Sequence, residues 1–346
     1  MEFAVKEKSV REVIVDYIDE HGSTGSRELS LHLGISRQAL HAHLRRLIDH
    51  GKLFKTGSTR NARYHAAGES QVEEDFAAEF QVTGLDESRI YQRLSLSLNL
   101  SRLLKINVES IAHYAFTEML NNVIDHSDSI QTRVRASLEL GKLSFEIKDW
   151  GKGVFASIAE KFSLDSEQDA MVELVKGKTT TMPEAHSGEG IFFTSKATDK
   201  FVLRSHKIQL EWDRARGDVF VSTPRYTKGS SVRVEIRRDS RLKLEDVFSR
   251  YAPEEFDYQF QKTLVHVKLL REDYLSRSEA KRLMQNLDKF RVVELEFGGV
   301  KAMGQGFADE IFRVFSLKYP DVEVHAVNAS PAIQAMIKHV QTSDKS

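Results

Sequence analysis

The chain has 346 residues, 40% hydrophobic and 29% charged, with a formal net charge of -1 at pH 7; this length predicts two or three domains, and neutrality excludes binding through bulk charge. The absence of cysteine excludes disulfides, thiolate zinc sites and cysteine nucleophiles. No apolar run approaches the roughly 18 residues of a membrane span and the N-terminus has no apolar signal core, so a soluble, cytoplasmic protein with no membrane partner is expected.

Within residues 1–68, Val10, Val13, Ile14, Tyr17 and Ile18 recur at helical spacing and "HGS" closes the helix. "SRELSLHLG" forms a second helix ending at Gly34, "RQALHAHLRRLIDHG" a third, and "KLFKTGSTRNARYHAA" two short strands. This order predicts a winged helix-turn-helix with Ser36 as N-cap of the recognition helix. Between Ile35 and Ala66 lie Arg37, Arg45, Arg46, Lys52, Lys55, Arg60 and Arg63 against the single acid Asp49. Such a local basic stripe makes double-stranded DNA the expected partner. Ser36, Arg37, Gln38 and His41 occupy the first turns, where side chains reach base edges. Arg45 and Arg46 continue the stripe, and Arg60 and Arg63 lie on the wing for phosphate or the minor groove. The alternative is a protein-interaction winged helix with a solvated basic face.

Residues 69–90 are acidic and predict a helical linker. Over 91–240, helices alternate with strands: "QTRVRASLELGKLSFEIKDWG" is a hairpin turning at "LGK", and further antiparallel strands follow from Asp199. An α/β multidomain protein is expected, with a mixed, mainly antiparallel sheet here and helices on one face. One helix carries "FTEMLNNVIDHSDS", in which Glu118, Asn122 and His126 are spaced four apart and share a face. Downstream stand "DWGKGV" at 149–154, "HSGEGIFF" at 186–193 and "KGSSVRV" at 228–234.

In order and spacing these motifs resemble those of the GHKL ATPase superfamily, which includes the gyrase, Hsp90, histidine-kinase and MutL ATP-binding domains. Glu118, Asn122 and His126 resemble its N-box, and Asp149, Gly151 and Gly153 its first glycine box. Gly188 and Gly190 resemble the second, and Gly229 with Ser230 the motif that closes the adenine pocket. The resemblance implies ATP and Mg²⁺ as cofactors. Asn122 offers the hard oxygen ligand Mg²⁺ wants, and Glu118 can polarise the attacking water. Asp149 would accept the adenine amine, with Gly151 and Gly153 letting the backbone pass close to the base. Gly188 and Gly190, opening a helix, would present N–H groups to phosphates. The segment from Val154 to Gly188 matches the ATP lid, with Lys176 and Lys178 as candidate phosphate contacts or, alternatively, exposed lid charges. Asn121 is expected to point elsewhere in the fold. Two departures matter: Phe192 stands where the second glycine box usually has another Gly, and Asp125 stands where sensor kinases carry Lys or Arg. With no phosphoacceptor-histidine helices ahead of it, "EMLNNVIDH" is closer to the MutL-like pattern.

Residues 241–260 predict a connector. Strands and helices alternate over 261–346, implying parallel pairing in a small α/β domain. "VVELEFGGVKAMGQGFADEIFRVF" resembles a STAS-like family with a "FADE" helix, a type of domain that pairs with GHKL ATPases. Its strand-to-helix junction carries Gly304, Gln305 and Gly306 and no hydroxyl, so phosphorylation there is not expected. Taken together, the sequence predicts an ATP-responsive DNA-binding transcriptional regulator, expected as a homodimer, with slow hydrolysis through Glu118 and a protein partner for the STAS-like domain. The alternatives are an anti-sigma-type serine/threonine kinase acting on a separate STAS protein, and an ATPase subunit of a defence or DNA-transaction complex.

Overall fold

The computed structural model describes residues 10–21, 23–49, 53–56, 62–66, 75–139, 141–178, 188–269 and 276–342. The chain divides into two compact units, Met1–Glu74 and Asp75–Ser346. The first contains α1 (Val10–His21), β1 (Thr24–Gly25), α2 (Ser26–Leu33), α3 (Arg37–Asp49), β2 (Leu53–Thr56) and β3 (Arg63–Ala66). Strand β3 pairs antiparallel with both β1 and β2. Ile14 and Ile18 on α1, Leu29 on α2, Leu40 and Leu44 on α3, and Tyr64 on β3 close one core. The four-residue spacing puts each helical pair on one face. Helix α2 stops where Gly34 turns left-handed. Ser36 Oγ then accepts from the Ala39 N–H at 3.2 Å and caps α3.

The second unit begins with β4 (Asp75–Gln81), α4 (Glu87–Ser97), α5 (Leu100–Leu103), α6 (Ile106–His126), β5 (Gln131–Glu139) and β6 (Lys142–Asp149). It continues through α7 (Val154–Phe162), α8 (Glu167–Lys176), α9 (Gly190–Ala197), β7 (Lys200–His206), β8 (Ile208–Asp213), β9 (Asp218–Ser222) and β10 (Thr227–Arg237). Seven strands form one sheet in the order β4-β5-β6-β10-β7-β8-β9. Every neighbouring pair is antiparallel, so this sheet is not mixed as expected. Alternate residues of β5, β6 and β7 are buried and share one core with α6.

Within the helical linker expected over 69–90, residues 69–74 lie outside the described residues and residues 75–86 are not helical. Asp75–Gln81 is the edge strand of the sheet, paired from Asp75↔Ser137 to Gln81↔Gln131, and α4 begins only after the Asp86 cap. Phe76, Ala78 and Phe80 alternate toward the core, a period of two that the flanking acidic residues obscured.

The remaining elements are α10 (Leu244–Tyr251), β11 (Lys262–His266), α11 (Arg277–Met284), β12 (Val292–Glu296) and α12 (Gln305–Asp309). A π-helical stretch, Glu310–Phe315, leads into α13 (Ser316–Lys318), followed by β13 (Glu323–Val327) and α14 (Pro331–Thr342). Strands β11, β12 and β13 pair in parallel in that order, as the alternation predicted. The stretch over 241–260 is more than a connector, because α10 buries Val247 and Tyr251. Phe248 stacks on Phe193 with centroids 4.4 Å apart, and Phe192, Tyr251, Phe260 and Phe290 extend the cluster. The antiparallel and parallel sheets therefore share one continuous core.

Candidate functional sites

Helix α6 lays a polar stripe along a cavity of about 310 Å³. Glu118, Asn121, Asn122, Asp125 and His126 all line it, with the buried Met119 and Val123 beside them; spacings of three, four, seven and eight put the polar residues on one helix face, while Phe116 and Leu120 are buried away from it. Asn121 thus faces the cavity, contrary to expectation, because a residue three positions after Glu118 is rotated from it by only a small angle. Asn122 Nδ2 and, on α7, Ser157 Oγ are buried with no hydrogen-bond partner among the described residues. An unsatisfied buried polar group costs about 1–3 kcal/mol, so both atoms offer bonding capacity to a ligand. Ser157 carries no signal in the sequence that would have singled it out.

One end of the cavity is closed by Asp149, Ser230, Leu203 and Val232. Asp149, at the end of β6, is 3% exposed. Its Oδ1 accepts the Gly151 N–H at 2.8 Å and its Oδ2 the Ser230 N–H at 3.1 Å. Burial pushes its pKa above the usual aspartate value, opposed by those two bonds and the Lys148 charge. A carboxylate has about four acceptor positions, so capacity remains after these two. The register of β10 against β7 shifts between Thr227 and Ser230. Within that bulge Gly229 takes φ +68°, and a Cβ there would sit 2.4 Å from Asp149 O. Gly151 and Gly153, expected beside the base, are not in the lining. A Cβ on Gly151 would meet Ser127 O at 1.8 Å, so what this glycine admits is the neighbouring chain.

At the other end stand Gly188, Glu189, Gly190 and Ile191, where α9 opens. A Cβ on Gly190 would lie 2.1 Å from Glu118 Oε2, so this turn passes directly over the Glu118 carboxylate. Phe192 is buried in the aromatic cluster against Tyr251 and Phe260, which accounts for its departure from the glycine pattern.

Neither lysine expected at the phosphates lines this cavity. Lys176 is 1% exposed, and its Nζ donates to Glu173 Oε1, to Gln285 O at 2.9 Å and to Arg282 O at 3.2 Å. Lys178 Nζ donates to Lys289 O at 2.9 Å and lies 4.6 Å from the Phe290 ring. Both side chains point into the parallel-sheet region, Lys176 to the end of α11 and Lys178 to Lys289 and Phe290. Residues 179–187 of the expected lid lie outside the described residues.

In the first unit the cap residue Ser36 and, on α3, Arg37, Gln38, His41, Arg45 and Arg46 are exposed, while Leu40, Leu44 and Leu47 are buried. Arg63 is exposed and donates from Nη1 to Ser23 O and Ser23 Oγ, each at 3.3 Å. Arg60 lies outside the described residues.

Residues 11–53 match the family model for winged helix-turn-helix DNA-binding. Residues 279–334 match that for the STAS-like domain of unknown function (DUF4325). No curated protein matches the chain. The class so defined is a multidomain α/β protein with an N-terminal winged helix, a large antiparallel sheet with helices, and a C-terminal STAS-like domain. DNA is the partner that the N-terminal match indicates. No helix among the described residues is long and apolar enough to cross a membrane.

Proposed function

We propose that the protein is a DNA-binding transcriptional regulator governed by Mg²⁺-ATP bound in the cavity between α6 and α9, as the resemblance to GHKL ATPases implies. The observation that carries this reading is the stripe from Glu118 to His126, facing the Gly188–Gly190 turn and ending on the buried Asp149. The cavity's chemistry fits the ligand: an acceptor with spare capacity for the adenine amine, two unpaired polar atoms, and a helix start for phosphate. Asn122 would supply an oxygen ligand to Mg²⁺, and Glu118 would hold and polarise water as a general base. Mg²⁺ at Asn122 would complete its coordination with phosphate oxygens and waters. Bound ATP supplies the phosphoanhydride whose slow hydrolysis would reset the switch.

Helix α8 links this cavity to the STAS-like domain, because Leu174 lines the cavity and Lys176 is held by the last carbonyls of α11. A ligand shifts such an arrangement only by binding one state better than another. Homodimerisation of the nucleotide-bound state would then set the spacing of two winged helices on DNA. The test is DNA affinity at fixed salt, with and without ATP and Mg²⁺, in the natural chain and in Asn122→Ala. A change of at least about fivefold in the natural chain, lost in the variant, is expected. Equal affinities in all conditions would end the proposed coupling, and direct ATP titration would show separately whether the cavity binds nucleotide.

A further inference from the structure

A second cavity, of about 420 Å³, opens where α9, α10, the β8–β9 turn and the carboxyl ends of β11 and β12 meet. It shares no lining residue with the first. In α/β sheets ligands settle at the carboxyl ends of parallel strands, and His266 and Glu296 are the last residues of β11 and β12.

Two buried nitrogens in this lining lack hydrogen-bond partners among the described residues: Trp212 Nε1, on a side chain 6% exposed, and His266 Nδ1, on one 5% exposed. An indole N–H can only donate, so Trp212 requires an acceptor. The carboxylate nearest His266 Nδ1, Asp218 Oδ1, is 3.8 Å away, and Asp218 is engaged by Lys268.

Cationic groups surround these nitrogens. Lys196, Arg214 and Arg250 line the same cavity. Lys196 forms no ion pair among the described residues; its Nζ lies 5.4 Å from the Phe192 ring. Arg214 spends its hydrogen bonds on the Thr198 and Lys196 carbonyls. Burial and the charges of Arg250 and Arg214 push the Lys196 ammonium down to about 8, the mark of a cation short of a counter-charge. Asp213, Asp218 and Glu296, three of the four acids in the lining, are engaged elsewhere. Asp213 Oδ1 accepts the Arg216 N–H at 3.2 Å, and Glu296 accepts from the Gly298 N–H and Asn328 Nδ2, each at 2.7 Å. Asp246 sits in the first turn of α10, where a carboxylate complements the helix dipole.

We infer that this cavity binds a small molecule through an oxyanion group, phosphate or carboxylate, with Lys196 and Arg214 as counter-charges and the Trp212 indole N–H as the directional donor. The inference stands independently of the nucleotide reading. Helix α9 presents Gly190 to the first cavity and Lys196 to the second, so such a ligand would rest against the far end of the helix that covers Glu118.

The chain has two tryptophans, so Trp150→Phe leaves Trp212 as the sole indole reporter. Full-length Trp150→Phe protein is titrated with inorganic phosphate and, separately, with acetate, chloride keeping ionic strength constant. A saturable change in Trp212 emission with one or both anions is expected, and the stronger anion identifies the oxyanion class. Lys196→Gln and Arg214→Gln should each weaken that binding by about tenfold or more, or about 1.4 kcal/mol. Arg214 lies on an exposed turn, so its variant keeps the test open should Lys196→Gln fail to fold. A response that never saturates with either anion, or Kd values unchanged in both variants, would overturn the inference. Phosphate lodging in the first cavity would give the second of these outcomes.

Discussion

Replacing Lys176 by methionine distinguishes a structural role from a ligand-binding one at the base of α8. The side chain is 1% exposed, and its ammonium is shared among Glu173 Oε1, Gln285 O and Arg282 O. Methionine keeps much of the volume and donates nothing. Glu173, itself 7% exposed, then retains the Asn286 amide at 3.0 Å but loses the Lys176 ammonium. Removing one member of a buried ion pair costs about 3–5 kcal/mol, because the remaining charge stays desolvated. Two carbonyls at the end of α11 lose a donor as well, so the upper part of that range is expected. The measurement is urea unfolding followed by tryptophan fluorescence, comparing Lys176→Met with Lys176→Met/Glu173→Leu. The double variant should recover most of the loss, since an apolar pair of similar volume is often neutral relative to a buried ion pair. A phosphate-contacting lysine behaves oppositely, with stability nearly unchanged and affinity for a non-hydrolysable ATP analogue falling. A loss below about 1 kcal/mol, the range of an exposed pair, together with weakened nucleotide binding, would refute the structural assignment.

Two further outcomes are expected. Gly229→Ala forces a Cβ to within 2.4 Å of Asp149 O at a residue with φ +68°; a loss of about 1–3 kcal/mol should appear as a lowered melting temperature, with ATP-analogue affinity falling because Ser230 N–H no longer holds Asp149. An unchanged melt would mean that the bulge relaxes freely. Arg37→Ala with Arg45→Ala should flatten the dependence of log DNA affinity on log salt by about 0.9 for each phosphate no longer neutralised, measured by fluorescence anisotropy over a salt series. An unaltered slope would assign those arginines to something other than the DNA backbone.

Much of the architecture is legible in local pattern. Leu40 and Leu44 on α3, the alternation through β5 and β6, and Ser330 capping α14 by accepting from the Ile333 N–H follow from periodicity and capping chemistry. The stripe on α6 was legible too, since Glu118, Asn122 and His126 are related by one helix period. Asn121 could have been found by the same rule at a spacing of three. By contrast, β4 was hidden because an edge strand of seven residues carries a weak alternation beside acidic neighbours.

Sequence by itself determined most of the elements, the winged-helix order, the basic face of α3 and the Glu118, Asn122 and His126 stripe, because these rest on interactions a few residues apart or on motif spacing. Tertiary structure alone decided where the lysines after Leu174 point, since Lys176 finds its acceptors 106 and 109 residues away, at the end of α11 and its C-cap. It also decided that Gly151 serves the Ser127 chain and that Phe192 joins an aromatic cluster instead of widening the cavity. The second cavity belongs to the same category: Lys196, Trp212 and His266 come from α9, β8 and β11, and only the packing of two sheets on one core brings these side chains together.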